Sequence, residues 1–136
     1  MSMLQILRSI FERMIGQARE GFPFEICGIL GGKDGVVSAI YPMTNTDASR
    51  EHFIMEPREQ FAVVKGLRSQ QLEMLAVYHS HPATPARPSD EDIRLALTPD
   101  ISYVIVSLAD PYTPEVRSFK ITERRVGSEE LRIIPD

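Results

Sequence analysis

The run Met74-Leu-Ala-Val-Tyr78-His79-Ser80-His81 constrains this chain most. It reads as a strand, apolar up to Tyr78 and then abruptly polar. Pro82, Pro85 and Pro88 follow it. Each proline fixes its own φ, so residues 82–88 form a stiff loop. Ser89 opens a short helix to about Leu97, and Ile101 to Leu108 is a second, strongly apolar strand. The middle of the chain is therefore strand, rigid loop, helix and strand.

The flanks are read the same way. Leu4, Leu7, Phe11, Met14 and Ala18 recur at steps of three and four, which predicts an amphipathic helix over 3–19, ended by Gly21 and Pro23. Residues 25–31 read as a buried strand, Lys33-Asp34-Gly35 as a turn, and Val36 to Tyr41 as the return strand of a hairpin. Residues 42–51 are loop-like, and His52 to Met55 read as a short strand. Pro57 starts a helix to about residue 71, with Phe61, Val64 and Leu67 on its apolar face. Strands over Val116–Ile121 and Arg125–Ile134 complete the chain. This irregular alternation predicts an α/β (α+β-like) fold, a mixed sheet with packed helices. At 136 residues the chain has the length of one domain, 1–136.

Lys plus Arg total 15 against 19 Asp plus Glu, a net charge of −4. Nucleic-acid binding normally needs a basic face, so that class is disfavoured. Apolar runs fall short of the ~18–20 residues of a membrane span, and the charged residues among the first twenty do not resemble a signal peptide. Cys27 is the single cysteine. No intrachain disulfide is available, which fits a reducing cytoplasm.

If 74–81 is a strand, His79 and His81 project from one face, since side chains alternate with period two. Ser89 and Asp92, three apart at a helix start, are neighbours. If the proline loop folds back, Asp92 joins the two imidazoles. Two histidines and a carboxylate suit Zn2+ and leave a position open for water. Bound zinc lowers the pKa of water to roughly 7. A hydrolase of this kind also needs a general base and an oxyanion donor. Ser89 is a candidate donor. Glu25 is the candidate base, because an acid in an otherwise apolar strand needs a reason to be there.

Plainer readings stand beside these. Ser89-x-x-Asp92 is also a capping box, a role compatible with catalysis. A His-x-His pair alone, or Glu25 alone, also describes ordinary surface residues. Cys27 reads as a small core residue, His52 as structural or solvent-facing, and Arg50 and Arg87 as solvated charges.

Taken together the residues resemble a known family. His79-Ser80-His81-Pro82, seven residues, Ser89, two residues and Asp92 is similar to the JAMM (MPN+) metallopeptidase motif. Pro23-Phe-Glu25-Ile-Cys27-Gly28-Ile-Leu-Gly31 resembles the segment that carries that family's glutamate. The resemblance implies that His79, His81 and Asp92 ligate zinc, Glu25 activates water, and Ser89 stabilises the oxyanion. It implies a curved mixed β-sheet flanked by helices, the JAMM/MPN (cytidine-deaminase-like) fold. It also implies cleavage after the C-terminal Gly-Gly of a ubiquitin-like or sulfur-carrier protein. The chain has little room for the insertions of eukaryotic members and resembles the compact prokaryotic branch. A substrate tail is expected to lie extended beside the sheet as an added strand, with Thr44 and Asn45 lining its groove. The alternative from another class is a non-catalytic module that binds such a tail, its zinc structural.

Overall fold

The apolar runs become seven strands and three helices among the residues described by the computed structural model, 2–136. In chain order they are β1 (Met3–Leu7), α1 (Arg8–Gly21), β2 (Cys27–Lys33), β3 (Val36–Met43), α2 (Pro57–Ser69), β4 (Glu73–His81), α3 (Asp90–Leu95), β5 (Ser102–Ser107), β6 (Glu115–Thr122) and β7 (Arg125–Ile134). The sheet is mixed, as expected, and it curves until it closes, in the order β1-β3-β2-β4-β5-β6-β7. β4 is central. It pairs antiparallel with β2 and parallel with β5.

Three sequence expectations change. Residues 3–7 form a strand rather than the first turn of the helix. Leu4 and Ile6 are buried at period two, and β1 pairs parallel with β7 and, over Gln5 and Ile6, with β3. Glu25 lies in the loop just ahead of β2 rather than within a strand. His52 to Met55 form no strand; a single bridge joins Met55 to Asn45.

The hairpin between β2 and β3 turns at Asp34 and Gly35, with φ of 55° and 76°. Both lie in the left-handed region, which glycine adopts without steric cost and aspartate tolerates. α1 lacks a side-chain cap from its own N-cap residue, Leu7. The carboxylate of Asp136 replaces it, accepting from the Ser9 backbone N–H at 2.9 Å and from the Ser9 hydroxyl. An anion at a helix N-terminus also offsets the helix dipole.

The two faces of the sheet are covered differently. On one face Leu30, Ala76, Tyr78, Val104 and Val106 pack with Ile10, Met14 and Ala18 of α1. On the other, Cys27 and Ile29 pack against Leu67 of α2, and Ile105 packs with Ile93 of α3. Fully burying one such Leu, Ile or Met contributes about 1.5–3 kcal/mol. Gly28 belongs to the α1 face because Tyr78 crosses it. A Cβ there would lie 2.2 Å from the phenol oxygen. His79 and His81 alternate with Tyr78 and Ser80, so both imidazoles emerge on the α2/α3 face. Among the described residues no helix is long and apolar enough to cross a membrane.

Candidate active site

β4 delivers His79 and His81 at its end, both buried. The loop over 82–88 then folds back so that α3 starts over them. Ser89 caps α3, accepting from the Asp92 N–H at 3.0 Å, while Asp92 Oδ2 accepts from the Ser89 N–H at 2.9 Å. The capping box is therefore real, and it aims Asp92 at the histidines. Asp92 Oδ2 lies 3.2 Å from His79 Nε2 and 3.1 Å from His81 Nε2, and the two nitrogens are 3.1 Å apart. The three form the one His/Cys/Asp/Glu group of metal-ligating geometry among the described residues.

Their surroundings orient them. His81 Nδ1 sits 3.0 Å from the Pro85 carbonyl, an acceptor only. Nδ1 therefore keeps its proton, and whenever the ring is neutral Nε2 presents a bare lone pair. Phe53 stacks on His79 with ring centroids 4.5 Å apart. The carboxylate oxygen and the lone pairs thus converge with too few protons to satisfy one another. Nitrogen, nitrogen and carboxylate oxygen fit a divalent ion, and the residues present suit one. Burial opposes ionisation of Asp92, but where His79 and His81 carry a proton on Nε2 their hydrogen bonds outweigh it and hold the carboxyl well below the usual range. Burial pushes His79 down despite Asp92. In His81 the same burial is overcome by the bonds to Asp92 and Pro85, so its pKa is raised.

Glu25 is also buried. Burial pushes its carboxyl up to about 7, with His81 pulling the other way and Asp92 adding to the rise. Its backbone is fastened from three sides. The Glu25 N–H donates to the Ser49 carbonyl at 2.8 Å, and Asn45 Nδ2 donates to the Glu25 carbonyl at 3.0 Å. The next N–H, of Ile26, donates to Ser80 Oγ at 2.9 Å.

Two cavities meet at the cluster. One, ≈ 450 Å³, is mostly apolar and lined by His79 and Asp92 with Phe53, Met55, Leu95 and Ile105. The other, ≈ 600 Å³, is lined by Glu25, His81 and Ser89 with Arg50, Glu51 and Thr84. Glu91 borders both, and His52 Nδ1 lies 2.9 Å from it. His52 is thus outside the ligand group, as read from the sequence, but it ties the loop before α2 to α3.

Thr44 and Asn45 line neither of these two cavities. Thr44 donates through its N–H and hydroxyl to Glu59. Asn45 is engaged with Glu25, His52, Asp47 and Ile54, so its role is to hold the loop. β4 itself, flanked by β2 and β5, has no free edge to offer a tail. Cys27 is buried, and burial pushes its thiol up to about 12. Arg87 is exposed. Ser80 and Ser49 were missed by the sequence reading. The signal for Ser80 was available: a hydroxyl on the core face of a strand needs a partner.

A family model described as prokaryotic homologs of the JAB domain matches residues 7–122. The CysO-cysteine peptidase of Mycobacterium tuberculosis is 35% identical over 133 residues, 96% of this chain and 91% of that protein. The desampylase of Haloferax volcanii is 30% identical over 113 residues, 78% of this chain and 81% of its own. A solution structure of a protein from Desulfitobacterium hafniense superposes with a TM-score of 0.90 at 46% identity, covering 98% of this chain and 94% of that one.

Proposed function

The chain belongs to the prokaryotic homologues of the JAB domain, and from that premise we propose that it is a zinc-dependent peptidase or isopeptidase cutting after the C-terminal Gly-Gly of a ubiquitin-like or sulfur-carrier protein. Relatives named as a CysO-cysteine peptidase and a desampylase support a hydrolase of this class. One observation carries the reading. Glu25, a buried carboxylate whose burial pushes its pKa up to about 7, borders the same cavity as His81, beside three convergent ligand atoms.

His79 and His81 through Nε2 and Asp92 through Oδ2 are the residues that would hold zinc. Zinc bound there supplies a Lewis acid that polarises the scissile carbonyl and makes water acidic enough to react at neutral pH. Glu25 takes the proton of the attacking water and returns it to the departing amine. A base poised near neutrality serves both transfers. Ser89 Oγ spends its lone pair on the Asp92 N–H. Its own proton stays free to donate to the developing oxyanion. With three protein ligands rather than the four of structural zinc sites, the centre suits catalysis better than scaffolding. Residues 1–136 work as one domain, in the cytoplasm, where the lone Cys27 stays reduced.

The test is turnover. Zinc-loaded protein is incubated with carriers extended beyond Gly-Gly, and the products are weighed by mass spectrometry. Cleavage after the second glycine is expected. Stoichiometric binding of the tail without cleavage would sink the reading and favour a binding module.

A further inference from the structure

The two cavities differ in the charged residues that line them, and the difference bears on what leaves the enzyme. Glu25 must reach the departing nitrogen to protonate it. The leaving group therefore occupies the cavity that Glu25 lines. That cavity is rich in acids, with Glu25, Glu51, Asp90 and Glu91 in its wall, and Arg50 is its one arginine or lysine. Among the described residues no acid forms an ion pair with Arg50. Its position is nonetheless built. The preceding carbonyl, of Ser49, accepts from the Glu25 N–H at 2.8 Å. Ser49 Oγ accepts from the N–H groups of Glu51 and His52 at 3.0 and 3.2 Å. The backbone that carries Arg50 is thereby fastened to that of the general base, and its side chain lines the same cavity.

We propose that Arg50 reads the free α-carboxylate of the leaving group, so that the preferred product beyond the cut is a single amino acid rather than a lysine side chain of a folded protein. This rests on the peptidase reading above. In such a substrate the carboxylate carbon lies about 2.5 Å from the scissile nitrogen, fixed by covalent geometry. The negative charge thus enters the acid-rich cavity close to Glu25, where it is repelled unless a cation answers it. The guanidinium fork matches a carboxylate bidentately. A lysine isopeptide places four methylenes after the same nitrogen and has no carboxylate there. In the reaction water adds to the terminal glycine carbonyl and the C–N bond breaks, its electron pair passing to nitrogen. Glu25 delivers the water's proton to that nitrogen, leaving the tail carboxylic acid and a free amino acid.

The experiment uses synthetic tails ending in Gly-Gly followed by one cysteine, as the free acid and as the C-terminal amide, with a Gly-Gly lysine isopeptide as third substrate. Values of kcat/KM are measured for the zinc-loaded wild type, Arg50→Ala and Arg50→Lys. The wild type is expected to favour the acid over the amide by about tenfold, the low end for a charged hydrogen bond because Arg50 is exposed. In Arg50→Ala the ratio falls to near one, and Arg50→Lys restores part of it. Equal cleavage of acid and amide by the wild type, an unchanged ratio in Arg50→Ala, or an isopeptide cut as fast as the acid overturns the proposal while the peptidase reading stands. Cleavage of none of the three by zinc-loaded wild type overturns both.

Discussion

Ser80→Ala separates the placement of the base from the placement of the metal. Ser80 stands between the two histidines but faces the other side of β4, 1% exposed. Its hydroxyl oxygen is the acceptor for the Ile26 N–H at 2.9 Å. A second bond, from the Ser80 N–H to the Ile26 carbonyl at 3.0 Å, survives the substitution. Alanine therefore strands one backbone donor, at a cost of about 1–3 kcal/mol. At this chain length that lowers Tm by about 4–12 °C. The freed peptide is the one that follows Glu25, so the carboxylate loses one of its three anchors. A displacement on the order of 1 Å at a reacting group costs about a hundredfold in rate. The histidines are held separately, by the pairing of β4 with β2 and β5 and by Pro85. The expected signature is a lowered Tm and a kcat reduced by up to about a hundredfold, with zinc content and KM near wild type. Thermal melting, steady-state kinetics and metal analysis read the three quantities. Wild-type kcat in a correctly destabilised variant would refute the link between Ser80 and Glu25. Loss of zinc would show that Ser80 serves the histidines instead.

Other substitutions probe the remaining parts. Glu25→Ala is expected to lower kcat by about 10²–10⁴-fold while zinc stays bound; loss of metal in that variant would make Glu25 a ligand and overturn its role as base. His79→Ala removes one of three ligands and is expected to empty the site, checked by metal analysis of the purified variant; full zinc occupancy would refute the ligand assignment. Cys27 is 0% exposed and its thiol is pushed up to about 12 by burial, so the reactive thiolate forms only as pH rises toward that value. A thiol reagent at pH 8 is expected to label it only as fast as the protein unfolds, and rapid labelling of the native protein would contradict its burial.

What was legible in the sequence was local. His79 and His81 share a face because a strand alternates, and Ser89 and Asp92 meet because a helix turn brings them together. Both relations depend on a few residues and hold in the structure. Residues 3–7 misled because Leu4 and Leu7 continue the helical spacing of Phe11 and Met14. Leu4 and Ile6 equally satisfy a strand, and the decision is made by pairing with Leu131 and Ile133 at the other end of the chain. Glu25 was found by its chemistry, but its placement was not. Ser49, Asn45 and Ser80 hold it across 20 to 54 residues of sequence. Asn45 drew attention as a polar residue near the site and proved to be one of those anchors.

The closure of the sheet has a consequence in time. β1 cannot complete the barrel until β7 is available, since its long register runs from Met3↔Glu130 to Leu7↔Ile134. Contacts of such sequence separation form late, because the intervening chain must first give up its freedom. The pairings of β2, β3, β4 and β5, by contrast, all fall within residues 27–107. During synthesis these four strands, with α3 between β4 and β5, emerge and pair while β1 still waits for its longer partner, β7. The metal-ligating corner is thus assembled on a half-open sheet, and the final zipping of β1 against β7 locks a site that already exists.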